Sequence, residues 1–344
     1  MTTERFSVCF TIDVEDFFLP RPPGFDTVFA RTESGEYGIG RIMQVLERHG
    51  ACGTFFVDVY NRQTLNENTL REACASIVER GHEVGLHTHP AFPQGQRGYG
   101  MQQILSKHDL AWQTEFIARG ISSLQAWCGK PPRSHRAGGY GANLDTLKAL
   151  EINGLQYDSS LLHGYRGCEL NEATGNRNTP VDLGGIFELP ISVTNNHFMV
   201  KFGALKLQPY AMVQKVDLDW LDASELEQQI SALHAHGVDP IIIFMHSYSL
   251  LDLNNRFRPH TANIEKLNTL LSFLRQSAGC SLDSLSVAAD RVRLQGARIT
   301  ADPLPDLWFW MDEDWRRWLA WARATVRPSH FRLISDYLKS RYVR

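Results

Sequence analysis

Residues 6–18 read FSVCFTIDVEDFF, an apolar run that ends in three carboxylates within four residues. The apolar residues predict a buried strand over Phe6–Ile12, and Asp13, Glu15 and Asp16 follow its end. Buried like charges repel each other, so this cluster is costly unless a cation or a proton neutralises it. The pattern favours a metal ligand beside a general base, and a solvated acidic turn is the alternative.

Short apolar runs alternate with longer helical patterns along the chain, as strand–helix–strand units of a parallel sheet require. The predicted strands are Phe6–Ile12, Gly53–Val57, Glu83–His87, Ser134–Ala137, Leu155–Asp158, Ile186–Pro190 and Ile241–Met245. The predicted helices are Ile39–His49, Thr69–Arg80, Met101–Trp127, Asn143–Ile152, Ser224–His236 and Ile264–Gln276. This rhythm predicts a closed or distorted α/β barrel, which places its chemistry at the carboxyl ends of its strands.

The composition is that of an ordinary folded protein and limits the classes of partner. The 344 residues are 43% hydrophobic and 21% charged, and the formal net charge of −3 disfavours a nucleic-acid partner. The first residues lack the pattern of an export signal, and no apolar stretch reaches about 18 residues, so we expect a cytoplasmic protein. The six cysteines form no CxxC pair and are expected to be reduced thiols.

The third predicted strand ends in two histidines, within GHEVGLHTHP at 81–90. His87 and His89 are two residues apart, so an extended backbone points both imidazoles to the same side. That arrangement suits one divalent ion. Hydrogen bonding of both histidines within the core is the alternative.

Three other strand ends carry polar side chains. In RSHRAGGYG at 133–141, Arg136 is followed by glycines, and a fixed arginine can orient a carboxylate through paired hydrogen bonds. The apolar run at 239–247 ends in His246, at the position expected of a general acid. Asp158 follows another strand and is a candidate to polarise that histidine.

The chain resembles the polysaccharide deacetylase superfamily, also called the NodB-homology group or carbohydrate esterase family 4, over roughly residues 6–290. The motifs that carry the resemblance are TIDVED (11–16), GHEVGLHTHP (81–90), RAGGYG (136–141), YDSS (157–160), ELP (188–190) and FMHS (244–247). The resemblance implies a distorted (β/α) barrel of seven or eight strands and one metal ion, usually zinc, held by one Asp and two His. It further implies acyl-group removal from sugars, with Asp13 as base, His87 as first histidine ligand, Arg136 as the residue orienting the base and His246 as acid.

Two positions depart from the family pattern. The family usually has two adjacent aspartates after the first strand, and here Val14 stands at the second position, so the ligand has to come from Asp16 or Glu15. Asp16 is the preferred candidate. The second family histidine usually follows the first by four residues, a position that Ala91 occupies, so His89 is expected to replace it. The predicted ligands of one divalent ion, Zn²⁺ in the first place, are Asp16, His87 and His89.

Residues 296–344 differ in composition from residues 1–295, which are assigned to the barrel. Five of the eight tryptophans fall between positions 308 and 321, and the segment from 315 to 344 carries a formal charge of +7. These features predict a helical C-terminal extension. Its tryptophans either pack onto the barrel or lie on an anionic membrane surface.

The expected activity is metal-dependent removal of an N-acyl group, acetyl in the first place, from a sugar or glycan precursor. Tyr140, Asp158 and Glu15 are expected to contact the substrate. A cytoplasmic location would restrict that substrate to nucleotide-linked or lipid-linked amino sugars, with peripheral contact at the inner membrane face through the C-terminal extension. The alternatives are deformylation or hydrolysis of another non-peptide C–N bond, and a sugar-binding protein whose catalytic site has decayed.

Overall fold

The structure is a computed structural model that describes residues 5–15, 25–60, 65–90, 104–202, 205–253, 258–295 and 302–310. The chain divides into two compact units. The first comprises Met1–Thr194 and Val213–Pro305, and the second comprises Asn195–Met212 and Asp306–Arg344.

Strands and helices alternate through most of the first unit. The strands are β1 (Phe6–Val14), β2 (Arg31–Thr32), β3 (Gly35–Glu36), β4 (Thr54–Asp58), β5 (Glu83–Thr88), β6 (Ser134–Ala137), β7 (Tyr157–Asp158), β8 (Val181–Leu183), β9 (Ile186–Glu188), β10 (Val193–Phe202), β11 (Leu205–Lys215), β12 (Ile241–His246), β13 (Leu251–Asp252), β14 (Arg258–Pro259), β15 (Cys280–Ser281) and β16 (Asp306–Trp310). The helices are α1 (Ile39–Arg48), α2 (Glu67–Glu79), α3 (Leu110–Cys128), α4 (Leu144–Ile152), α5 (Leu170–Thr174), α6 (Ala223–Ala235), α7 (Thr261–Gln276) and α8 (Leu285–Gln295).

The first unit is built on a curled sheet in the order β12-β1-β4-β5-β6-β7-β9-β8, with β15 paired to β1 as its ninth strand. All of these pairings are parallel except that of β8 with β9. Every one of the seven predicted strands is present within it. The prediction of a distorted α/β barrel is therefore confirmed.

Strand β1 is buried on both faces, and its alternation separates two layers. Phe10 and Ile12 belong to the larger hydrophobic core, which includes buried apolar residues of α1 to α7. Cys9 belongs to a second core with aromatic residues of β4, β7 and β12. Since side chains alternate along a strand, Thr11 and Asp13 share the side of Cys9.

The register of the strands brings the predicted polar residues to one end of the sheet. Asp13 is the pairing partner of His246 in β12, and His87 is the partner of Arg136 in β6. Parallel strands share one direction, so their carboxyl ends meet at the same edge. The fold itself thus assembles the candidate site.

Two predicted segments differ from the structure. The helix predicted over Met101–Trp127 begins only at Leu110, because the Asp109 side chain accepts a hydrogen bond from Trp112 N at 2.9 Å and caps it. In the second unit, β16 pairs in parallel with β10, and β11 lies on the other side of β10. The C-terminal region predicted to be helical therefore contains a strand at Asp306–Trp310, while residues 311–344 lie outside the described residues and their helix stays a prediction.

None of the described helices combines the length and apolarity needed to span a bilayer. All six cysteines are free, as the sequence led us to expect.

Phe55 in β4 is fully buried in the larger core, so truncating it should cost the free energy of transfer and of the cavity left behind. We expect Phe55→Ala to lower the free energy of unfolding by about 3–5 kcal/mol. Leu294→Ala, at a side chain that is 88% exposed, serves as the control. Urea unfolding followed by circular dichroism measures both, and equal midpoints for the two variants would contradict this packing.

Candidate active site

One carboxylate and two imidazoles converge at the ends of β1 and β5. Glu15 Oε2 lies 2.8 Å from His89 Nε2 and 3.4 Å from His87 Nε2. The three side chains are buried, and each offers a ligand atom within 4.8 Å of the other two. Two histidines and one carboxylate are a donor set that zinc adopts in catalytic sites.

A backbone hydrogen bond of His87 leaves its Nε2 facing this cluster. Its Nδ1 lies 2.8 Å from the backbone oxygen of Arg136 and donates a hydrogen bond to it. Nε2 is therefore the nitrogen directed at Glu15, and its lone pair is available to a metal ion when the ring is neutral. Holding the second ring nitrogen in this way fixes the orientation of a ligand histidine.

The cluster requires positive charge. Burial alone would raise the pKa of Glu15, but the adjacent His89 and His87 rings hold that pKa well below its usual range. Burial opposes the charge of His87 as well, yet the Asp13 and Glu15 carboxylates raise its pKa to about 9. These carboxylates stabilise positive charge beside them, and a divalent metal ion would supply two positive charges where a protonated ring supplies one.

Asp13 lies beside this cluster and is held by an arginine. Arg136 Nη1 donates to Asp13 Oδ1 at 2.8 Å, while Asp13 Oδ2 lies 3.8 Å from His87 Nε2. Arg136 is fully buried, and its other nitrogens donate to Thr11 Oγ1 at 2.9 Å and to the backbone oxygen of Ser159 at 3.0 Å. One carboxylate oxygen is thus fixed and the other faces the ligand trio.

His246 lies near the second carboxylate oxygen of Glu15. Its Nε2 is 3.6 Å from Glu15 Oε1, and its Nδ1 is 3.3 Å from Asp219 Oδ2. Ser249 Oγ donates to the same Asp219 oxygen at 2.8 Å. Burial opposes protonation of His246, but Asp219 and then Glu15 raise its pKa. His246 is therefore poised to carry a proton at the site.

His89 packs directly on the backbone after β6. A Cβ atom built on Gly138 would lie 2.3 Å from His89 Nε2 and Cε1. Only glycine leaves room for the imidazole at this point. Gly138, one of the glycines that follow Arg136, therefore packs against a candidate ligand.

Three further predicted site residues are Glu15, Asp16 and Tyr140. Glu15, predicted to contact substrate or to replace Asp16 as ligand, lies in the trio, whereas Asp16 lies outside the described residues and its ligand role is untested. The Tyr140 hydroxyl accepts a hydrogen bond from Lys215 Nζ at 2.8 Å, and burial raises the pKa of Tyr140 to about 12.

Asp158 pairs with a different histidine from the one expected. It is fully buried and accepts a hydrogen bond from His135 Nδ1 at 2.7 Å, whereas the partner of His246 is Asp219. A contact between Asp158 and the substrate stays a prediction. Burial and the neighbouring Asp158 carboxylate raise the pKa of Glu188 well above its usual range. His135 alternates with Arg136 along β6, which places this network on the opposite face of the strand.

Two carboxylates of the site were missed from the sequence. Asp219 is the partner of His246, and Asp58 ends β4 in register with His87. Burial raises the pKa of Asp58 to about 6, against the effect of the two histidines. Asp217 and Asp219 alternate with apolar residues in VDLD at 216–219, the same pattern that singled out Asp13 and Glu15.

Comparison with known proteins finds one family model that matches part of the chain. Residues 34–157 match the family model described as polysaccharide deacetylase, and this range includes both histidines of the trio and Arg136. The resemblance to the polysaccharide deacetylases is thereby confirmed. A crystal structure from Mycobacterium smegmatis, provisionally named a polysaccharide deacetylase, has the same fold, with a TM-score of 0.56 and 20% identity over 89% of this chain and 97% of that chain.

A curated relative comes from Gibberella zeae and is named peptidoglycan deacetylase-like protein FGM2. It is 28% identical over 130 residues, which are 37% of this chain. The match spans only 34% of the length of that relative.

The contact between Gly138 and His89 yields a test of the ligand set. We expect Gly138→Ala to weaken Zn²⁺ binding by about 10–100-fold, the range for disturbing the support of a ligand, because the added methyl displaces the His89 ring. Competition with a fluorescent chelator measures the affinity. Gly81→Ala is the control, since it strains a left-handed glycine with no neighbour within 4 Å of its Cβ; equal zinc affinities in the two variants would argue against His89 as a ligand.

Proposed function

We propose that this protein is a metal-dependent deacetylase that hydrolyses the N-acetyl group of an amino sugar within a glycan or glycan precursor. The observation that carries the proposal is the presence of two functional groups beside one donor trio. Asp13 Oδ2 lies 3.8 Å from His87 Nε2, and His246 Nε2 lies 3.6 Å from Glu15 Oε1. The family resemblance at residues 34–157 supports the sugar substrate.

Glu15, His87 and His89 are the residues that would hold the metal ion, with Zn²⁺ the first candidate. Their donor types fit this ion, and the raised pKa of His87 indicates that the site is stabilised by added positive charge. When bound, such an ion lowers the pKa of a water molecule towards about 7 and polarises a carbonyl group.

Asp13 is the proposed general base. Arg136 occupies Asp13 Oδ1, so Oδ2 is the oxygen that accepts the proton of the attacking water. The hydrogen bonds of Arg136 to Thr11 and Ser159 keep its guanidinium from turning away. Asp13 is thus held in a fixed orientation before the reaction, which lowers the activation free energy.

His246 is the proposed general acid. Asp219 accepts from Nδ1, so Nε2 remains to donate a proton to the sugar nitrogen as the C–N bond breaks. With a base, an acid and a complete donor trio in place, the arrangement favours an enzyme over the sugar-binding alternative. A formyl group would need the same machinery, so the acyl group has to be identified from the product.

Acetate release from chitin oligomers, peptidoglycan fragments and nucleotide-linked N-acetylglucosamine tests the proposal. We expect turnover that a zinc chelator abolishes and added Zn²⁺ restores, and a loss of roughly 10²–10⁴-fold in Asp13→Asn and in His246→Ala, because each removes one proton-transfer group. The control is Leu294→Ala, which changes an exposed side chain. Wild-type activity in both variants would refute the assigned roles, and formate in place of acetate would select the deformylase alternative.

The pairing of His246 with Asp219 predicts a change in pH dependence. A general acid must be protonated, so activity is lost as the pH rises through the pKa of His246. Asp219 raises that pKa against the effect of burial, so Asp219→Asn should move the alkaline limb of the kcat/KM profile to lower pH. Asp222→Asn, at the N-cap of α6, is the matched control; an alkaline limb that is the same in both variants would exclude Asp219 as the residue that tunes this acid.

A further inference from the structure

Tyr140 has a backbone conformation that only its surroundings can maintain. It follows β6 in the turn 138–141 with φ of 58°, in the left-handed region. This conformation is unfavourable for a residue with a Cβ atom, because the Cβ comes close to the following carbonyl oxygen. Such strain persists where neighbouring contacts hold it, and it is concentrated at functional sites.

The same turn supports a candidate metal ligand. Gly138 packs against the His89 ring so closely that a Cβ atom there would overlap it. A shift of the turn therefore shifts the surface on which His89 rests. Whatever fixes Tyr140 also fixes that surface.

Lys215, at the end of β11, holds the Tyr140 side chain. Its Nζ donates to the Tyr140 hydroxyl at 2.8 Å, lies 3.0 Å from Asp217 Oδ2 and lies 3.7 Å from the centre of the Phe244 ring. An ammonium group has three N–H donors, and here it has a hydroxyl group, a carboxylate and an aromatic ring as neighbours. The geometry suits a lysine that holds protein groups in place.

The lysine is itself anchored to the strand that carries the proposed acid. Asp217 is 1% exposed and forms a parallel bridge with Phe244 in β12, two residues before His246. Phe244 N donates to Val216 O at 2.9 Å on the same segment. The contact between Lys215 and Tyr140 thus joins the strand of His246 to the turn that supports His89.

We propose that Lys215 is a positioning residue of the metal site, which acts through Tyr140 to hold the turn 138–141 against His89. The inference rests on the proposed function, because it takes His89 as a ligand. It concerns how firmly the ligand is held, and Lys215 itself does not touch metal or substrate.

Zinc affinity and steady-state kinetics of Lys215→Met, Tyr140→Phe and the double variant test this inference. Lys215→Met keeps the chain length and removes the charged donor, while Tyr140→Phe removes only the acceptor. We expect each single change to weaken zinc binding by about 10-fold or more, the effect of losing an outer partner of a ligand. The double variant should lose no more than the worse single variant, because both changes break the same contact.

The kinetics distinguish positioning from substrate binding. With zinc at saturation, we expect kcat to fall and KM to stay near the wild-type value, and Lys215→Arg to recover part of the zinc affinity. Lys148→Met, on the exposed face of α4, is the matched control. Near-UV circular dichroism checks that each variant is folded, and Tyr140→Phe alone decides the test if Lys215→Met does not fold.

Four outcomes overturn the inference. Wild-type zinc affinity in both single variants, or additive losses in the double variant, removes the coupling between Lys215 and the ligand. A rise in KM with unchanged zinc affinity makes Lys215 a substrate contact. A wild-type protein that binds no zinc refutes the proposed metal site, and with it this inference, so the two failures are told apart by the wild-type measurement.

Discussion

Two negative charges buried on one strand are the constraint around which the site is organised. Asp13 and Glu15 lie two residues apart at the end of β1, and both are less than 10% exposed. An uncompensated buried charge costs several kcal/mol. Arg136 compensates Asp13 through a direct hydrogen bond, whereas the nearest partners of Glu15 are histidines, which are neutral unless they bind a proton. The charge of Asp13 is therefore neutralised by the permanent cation Arg136, whereas the charge of Glu15 is left for a proton or a metal ion, which can exchange.

This difference in neighbouring groups distinguishes the proposed base, Asp13, from the proposed ligand, Glu15. A carboxylate fixed by an arginine has one oxygen left and a defined direction, which suits proton transfer. A carboxylate among imidazoles has the donor chemistry of a metal site. The chemical difference between two acids on the same face comes entirely from what the neighbouring strands bring to each. Strand β6 brings Arg136 to Asp13, and β5 brings His87 and His89 to Glu15.

The sequence predicted the strands and the general position of the site, because both depend on local patterns. Strands β1, β4 and β12 are largely apolar, and the polar residues at their ends stand out against them. The place of Glu15 beside the two histidines could not be predicted in this way, since it depends on how far β1 stays extended. The structure keeps the strand regular through Val14, so Glu15 falls on the face of Asp13. The partner of His246 was also beyond local reasoning: Asp158 and Asp219 both follow apolar residues, and only the tertiary fold decides which one approaches the histidine. The pairing of β10 with β16 joins segments more than 100 residues apart and left no local signal.

The alternation along β1 also determines which changes the first strand can accept. Most of its apolar residues pack into the helix-facing core, while Thr11 and Asp13 face the site. The number of residues in the strand therefore determines which side chains point to each face. Loss or gain of a single residue within Phe6–Val14 would turn the carboxylates into the hydrocarbon layer and the aliphatic chains toward the histidines. This segment can diverge through exchange of one amino acid for another, but not through a change in length, whereas surface loops elsewhere in the chain are free to lengthen.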